Sequence, residues 1–362
     1  MKPWSQPLRQ PTSRHLSQPL PQTLSQPLSR TSAQASRPEV EGFAHGRAIA
    51  VACDDFGLHP DIDRAALHLA RQGRVQAIGC LVRGPSWPQH AHALRHLDPA
   101  SVDIGLHLDL SAGALGLSRR LALVVLILRA LAGLLDTSAL RLRIRSQLDA
   151  FEQHLGRPPA YVDGHQHVHQ LPQVRDALLA ELVGRGPGGC AQRPWLRSTR
   201  RPERRGLTGG ERAAALKARL IEQLGAAGLS ALAAQHGFLQ NRHLLGVYVF
   251  GTDRLRHAQR LQDWLLQAQD GDLLMCHPAK PPQKGAPTQP DSTASAPQGP
   301  ARYMEAQWLE SPAFDQACRH AGVVLRPLSR VLPGLSLLSP QAENRPGAPE
   351  LAAQQGIDPP RG

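Results

Sequence analysis

At 362 residues, the chain is long enough for one large domain or two ordinary ones, with a core that needs no crosslinks. Its five cysteines, Cys53, Cys80, Cys190, Cys276 and Cys318, are odd in number and widely spaced, which argues against a disulfide framework or a zinc ribbon and suits a reducing, cytoplasmic setting. Lysine and arginine outnumber aspartate and glutamate by 41 to 29, a formal charge of +12; no nucleic-acid recognition motif accompanies the excess, so nucleic acid is not the expected partner.

The positive charge gathers in two segments. Residues 1–38 hold Lys2, Arg9, Arg14, Arg30 and Arg37 with no acid, and Arg193 to Arg205 holds six arginines around Glu203. Both read as solvated stretches. Residues 1–45 also repeat Ser-Gln-Pro-Leu, at Ser5, Ser17 and Ser25. Such a composition buries too little apolar surface to offset the entropy of ordering, and a disordered basic tail is expected. It contains no compact apolar region of the kind a secretory signal needs.

Order is expected from Arg47. Ala48 to Cys53 is a continuous apolar run, the pattern of a strand buried on both faces, and it ends in Asp54-Asp55-Phe56-Gly57. A helix over 60–71 follows, then a strand over 75–82, a helix over 87–97 and a strand over 102–107 that delivers His107. The apolar stretch from Leu121 to Leu135 is interrupted by Arg129 and flanked by Arg119 and Arg120. It falls short of the roughly 20 apolar residues a membrane span requires, so a buried or lid helix is expected and no transmembrane segment. A helix over 138–155 is broken by Gly156-Arg157-Pro158-Pro159, and a strand over 160–163 leads into Asp163-Gly-His165-Gln-His167-Val-His169. Later elements are a helix over 172–182, a strand over 191–198, a helical region over 211–234 broken by Gly225 and Gly228, and a strand over 244–250. They continue with a helix over 254–268, a strand over 272–277 ending at His277, a mobile loop over 279–300, a helix over 304–321 and a strand over 323–328. A Pro/Gly-rich tail occupies 336–362. Alternation of strand and helix over about eight units predicts an α/β barrel of parallel strands, one domain across 46–335.

Catalytic groups of such a barrel sit where strands end at the carboxyl face. Asp54 and Asp55, His107, Asp163 with His165, and His277 all fall at predicted strand ends. Alternate side chains of an extended segment share a face, so Asp163, His165, His167 and His169 can converge for as long as the strand lasts. Carboxylate and imidazole together suit a divalent cation. Each residue also has a plainer reading: helix caps for the aspartates, satisfied core-edge histidines for His107 and His277, and a histidine-rich surface turn for the cluster. A set that recurs at one strand end after another favours the site.

The segments Cys53-Asp54-Asp55-Phe56-Gly57, Ile104-Gly105-Leu106-His107-Leu108, Asp163-Gly164-His165-Gln166-His167-Val168-His169 and Leu274-Met275-Cys276-His277-Pro278 resemble, in order, the motifs of the YdjC-like, or ChbG/HpnK, carbohydrate deacetylases over about residues 47–330. The resemblance implies a distorted (β/α) TIM-like barrel, an Asp-His-His metal site, and removal of N-acetyl groups from small sugars such as chitooligosaccharides or from a glycolipid head group. By position it implies Asp55, His107 and His165 as metal ligands, Asp54 as general base and His277 as the acid that protonates the departing amine. Asp163, His167 and His169 would orient those groups or contact substrate. The implied cofactor is one divalent cation, magnesium by family or zinc, and a homo-oligomer is compatible with the pattern. Two other readings compete. Metal-dependent amidohydrolases and phosphoesterases also use His-x-His, but in the amidohydrolase pattern the pair ends the first strand. A non-catalytic barrel could instead hold an acidic partner through its basic segments.

Overall fold

The apolar run after Arg47 becomes the longest strand, β1 (Arg47–Phe56), buried from Ala48 through Phe56. The computed structural model describes residues 46–111, 118–185, 193–203, 209–248, 254–282 and 299–337. The expected tail at 1–45, most of the 279–300 loop and the C-terminal tail beyond Leu337 lie outside the described residues; residues 336 and 337 complete the helix Leu328–Leu337. The remaining strands are β2 (Ala77–Cys80), β3 (Asp103–Leu108), β4 (Tyr161–Gly164), β5 (Trp195–Leu196), β6 (Leu244–Leu245), β7 (Leu273–Cys276) and β8 (Val323–Leu325).

Every pairing among these strands is parallel, in the order β5-β4-β3-β2-β1-β7-β6, with β8 paired to the start of β1. Residues of a parallel strand bond alternately to its two edges. Arg47 and Ile49 bond on the β8 side and Val51 accepts from Gln76 just before β2, whereas Ala48 and Ala50 bond beside β7. Thus β8 and β2 share one edge of β1, end to end. The sheet curls into a half-barrel. Among the described residues no strand ladder closes it between β5 and β6; loop backbone does, through Leu196 N–H to the Leu239 carbonyl (2.8 Å) and Leu244 N–H to that of Arg200 (2.7 Å). The long strand expected over 244–250 is two residues because Gly246 turns away at φ +87°, with the Met275 carbonyl oxygen only 2.1 Å from where a Cβ would stand; 249 and 250 lie outside the described residues.

Two apolar layers flank the sheet. Odd residues of β1, such as Ile49, Val51 and Cys53, pack toward the helices, while Ala48, Ala50 and Ala52 join Ala77, Tyr161, Trp195, Leu273 and Met275 inside the curl. Continuing that inner face by two-residue steps reaches Asp54, His107, Asp163, Arg197 and His277. Gly105 makes room within it, since a Cβ there would stand 2.3 Å from the Tyr161 ring. At the opposite, amino end of the strands, a cavity of about 280 Å³ is lined by Asp103, Ala160, Trp195 and Leu328, away from that rim.

Several expected elements differ in detail. The helix expected over 304–321 is two, Gly299–Glu310 and Pro312–His320, because Ser311 is extended and Pro312 has no N–H with which to continue the first. The helix over 87–97 keeps one α-turn, Trp87–His90, and runs on as the 3-10 segment Ala91–His96. Gly225 does separate two helices, but Gly228 lies inside the second, Ala226–Gln235. The apolar segment after β3 forms the helix Arg119–Leu131; it is buried on one side only, for Leu121, Val124, Leu128 and Leu131 all face solvent.

Candidate active site

The rim owes its geometry to an irregularity in β1. Register against β2 shifts between Cys53 and Phe56, and Asp55 adopts φ +71°, a conformation unusual for a residue other than glycine. In a regular strand Asp54 and Asp55 would point to opposite faces. The shift brings both carboxylates to the same rim, as bulges do.

There, Asp55 Oδ1 lies 3.0 Å from His165 Nδ1 and 3.6 Å from His107 Nε2. It is buried and makes no well-formed hydrogen bond. Oδ2 of the same carboxylate accepts from Arg302 Nη2. His107 Nδ1 stands 2.8 Å from Asp163 Oδ1, a contact in which Nδ1 donates to the carboxylate and which turns Nε2 toward Asp55. Arg197, fully buried, binds Asp54 through both terminal nitrogens at 2.6 and 2.7 Å and lies 2.7 Å from Asp163 Oδ2. His277 belongs to the same rim; its backbone N–H donates to Glu305 Oε2 at 2.6 Å, and its carbonyl accepts from Arg302.

Charge sets the protonation states. Burial alone would raise the Asp54 and Asp55 carboxyls, yet Arg197 beside the first and Arg302 beside the second hold both well below the usual carboxylate range. Burial works against charging His107, but the Asp163 and Asp54 carboxylates push it up to about 9. Burial lowers His277 to about 4 and raises Glu305 to about 7. Three carboxylates, Asp54, Asp55 and Asp163, face two guanidiniums, Arg197 and Arg302, which leaves one net negative charge when the imidazoles are neutral. A field that draws a proton to His107 also favours a cation. One ligand atom from each of Asp55, His107 and His165 lies within 4.8 Å of the others, and the same holds for Asp54, His107 and Asp163. The Asp55 oxygen without a well-formed hydrogen bond, and the His107 Nε2 and His165 Nδ1 atoms turned toward it, make the first group the better fit to a metal ion.

The histidine run does not stay on one face. β4 ends at Gly164, and Gln166 and His167 take left-handed conformations (φ 53° and 62°) within the 3-10 segment His165–Gln170. Only His165 reaches Asp55. His169 folds back under the turn, its Nε2 2.8 Å from the Arg197 carbonyl oxygen, and His167 is kept neutral by burial and by Arg197. The arginine segment expected to be solvated is also corrected. Arg197 is at the centre of the site, and Arg201 pairs with Glu222 at 2.9 Å. Sequence reading missed Arg197, Arg302 and Glu305. The strand-end rule applied to Trp195-Leu196-Arg197 would have found the first; nothing local marks the other two, which arrive from the helix Gly299–Glu310.

Fold and rim together define a parallel (β/α) half-barrel with a buried carboxylate and imidazole centre suited to a divalent cation. The chain belongs to the YdjC-like family, whose model, described as YdjC-like protein, matches residues 48–320. A human carbohydrate deacetylase is 29% identical over 305 residues, 76% of this chain and 88% of that protein. A chitooligosaccharide deacetylase of Serratia marcescens is 33% identical over 148 residues, 39% of this chain and 57% of that one. Among solved structures, a proposed cellobiose-phosphate cleavage protein from Enterococcus faecalis aligns with a TM-score of 0.53 at 17% identity, covering 79% of this chain and 99% of that one. That likeness concerns the fold alone.

Proposed function

We propose that this chain is a metal-dependent carbohydrate N-deacetylase, a hydrolase of linear amide bonds acting on a small N-acetylated amino sugar or glycolipid head group. The observation that carries the reading is Asp55 Oδ1, buried between His107 and His165 without a well-formed hydrogen bond. The relatives from human and Serratia, named as deacetylases, supply the reaction class. Asp55, His107 and His165 would hold one divalent cation, magnesium by family pattern and zinc by preference of the imidazoles. When bound, such an ion lowers the pKa of water and polarises an acetyl carbonyl.

The chain's own groups handle the protons. Arg197 keeps Asp54 ionised, hence ready to accept a proton from water, and fixes its orientation. An amine leaves only when protonated. His277, neutral at rest, becomes an acid after the proton removed from water reaches it, and it passes that proton to the sugar nitrogen. One water is consumed, and acetate and the protonated amine result. Asp163 holds the His107 ring by its Nδ1 proton, while His167 and His169 shape the turn that presents His165.

Acetate release is measured over N-acetylglucosamine oligomers and N-acetylated glycolipids, with and without chelator, beside phosphate release from phosphoesters. Chelator-sensitive acetate release is expected, together with loss of metal from His107→Ala and His165→Ala in elemental analysis. Phosphate release without acetate would move the protein to the phosphoesterase reading, and full metal content in both variants would refute the ligand assignment.

A further inference from the structure

The helix Arg119–Leu131 is apolar on every side. Its residues other than Arg119, Arg120 and Arg129 are Leu, Ala, Val or Ile, a pattern found in helices surrounded by protein or lipid. One side meets that expectation: Ala122 and Ala130 are buried, and Leu123, Leu126 and Ile127 pack against the core. The other does not. Leu121, Val124, Leu128 and Leu131 recur at i, i+3, i+7 and i+10, within about 80° of arc at 100° per residue, and with Leu134 they are between 48% and 64% exposed. These five are nearly half of the eleven exposed large hydrophobics among the described residues, so the exposure forms one patch rather than a scatter.

Charge identifies what covers it. Arg120 and Arg129 border the stripe on its two sides, and no acid occurs from residue 112 through 135. A second copy would bring like charges together, and so would the basic residues 1–38. An anionic surface would not. The helix has 13 residues, about 20 Å at 1.5 Å per residue, too short to cross a hydrocarbon core of about 30 Å; no helix of the described residues is long and apolar enough to do so. Leucines flanked by arginines at the polar boundary are the pattern of a helix lying in the plane of a membrane interface. The end of the segment is tied to the chain just after the His165–Gln170 turn, since Leu135 N–H donates to Gln173 Oε1 at 2.9 Å and the Gln173 amide donates back to the Leu135 carbonyl. We propose that this face of the helix docks on an anionic lipid surface and sets the rim beside it.

Co-sedimentation of the full chain with vesicles tests this, using phosphatidylglycerol mixed with phosphatidylcholine against phosphatidylcholine alone. Tighter partition onto the anionic vesicles is expected, weakened by salt. The Leu128→Asp/Leu131→Asp variant should lose at least about tenfold in partition, given the transfer energy of two leucines, with its urea midpoint kept. If that variant does not fold, hydrogen exchange on the unaltered chain serves instead, with slowing expected over residues 119–134 on adding anionic vesicles. Equal partition of parent and variant, no exchange change, no binding to either vesicle, or a dimer in light scattering that the substitutions dissociate would each overturn the proposal. None of these readouts depends on deacetylation.

Discussion

At the scale of single residues, Arg197 explains how two neighbouring buried carboxylates coexist. Its guanidinium spans Asp54 and Asp163, and removing one partner from such a buried set leaves an uncompensated charge. Asp54→Asn keeps a side chain of the same shape against Arg197 but removes the proposed proton acceptor. Acetate release should fall by about 10² to 10⁴, with far-UV circular dichroism unchanged; parental turnover would remove Asp54 from the proton path. Glu305 makes a second residue-level prediction. Burial raises its folded-state pKa from 4.5 to about 7, so the folded chain binds more protons than the unfolded chain between those values. Its contribution to stability is therefore greatest below about pH 4.5 and declines as pH rises through about 7. In urea titrations across that window, Glu305→Gln should flatten the decline, and an unchanged slope would mean that another group is responsible.

At the scale of elements, the site depends on two departures from regular strand geometry. The positive φ at Asp55 turns a side chain that alternation would aim at the helices into the rim, and the left-handed pair Gln166 and His167 ends β4 before alternation could carry His167 and His169 there. Local strain of this kind is held by surrounding structure. Here Asp55 is held by Arg302 from a helix nearly 250 positions away in sequence. The interior layer beneath is equally tight. Gly105→Ala would push a methyl group against the Tyr161 ring, which stacks on Trp195 with centroids 4.3 Å apart. Overpacking of this kind costs roughly 1–3 kcal/mol, to be read as a lowered urea midpoint; an unshifted midpoint would mean that the ring pair yields freely.

At the scale of the molecule, the half-barrel gathers onto one rim groups from β1, β3, the ends of β4, β5 and β7, and the helix Gly299–Glu310. All the groups described at that rim fall between Asp54 and Glu305 in the sequence, after the basic residues 1–45. Deletion of residues 1–45 should leave acetate release unchanged. No acetate release from either chain, with binding of an acidic partner lost on truncation, would favour the alternative of a non-catalytic barrel that holds such a partner through its basic segments.

Much of this was legible in the order of residues. Buried parallel strands announce themselves as short apolar runs, and the polar residue that ends each run falls at the carboxyl rim, because a chain that alternates strand and helix returns in the same direction each time. Asp54, His107, Asp163, His165 and His277 could be named as candidates on that ground. Tertiary structure decided the rest. Whether the sheet closes, which guanidinium neutralises which carboxylate, and which histidines of a cluster of three meet Asp55 are set by contacts between segments remote along the chain and by backbone angles no local pattern encodes. Arg197 looked solvated in a run of arginines and proved to be the most buried cation of the site, because burial of a charge is determined by the partners that surround it in space.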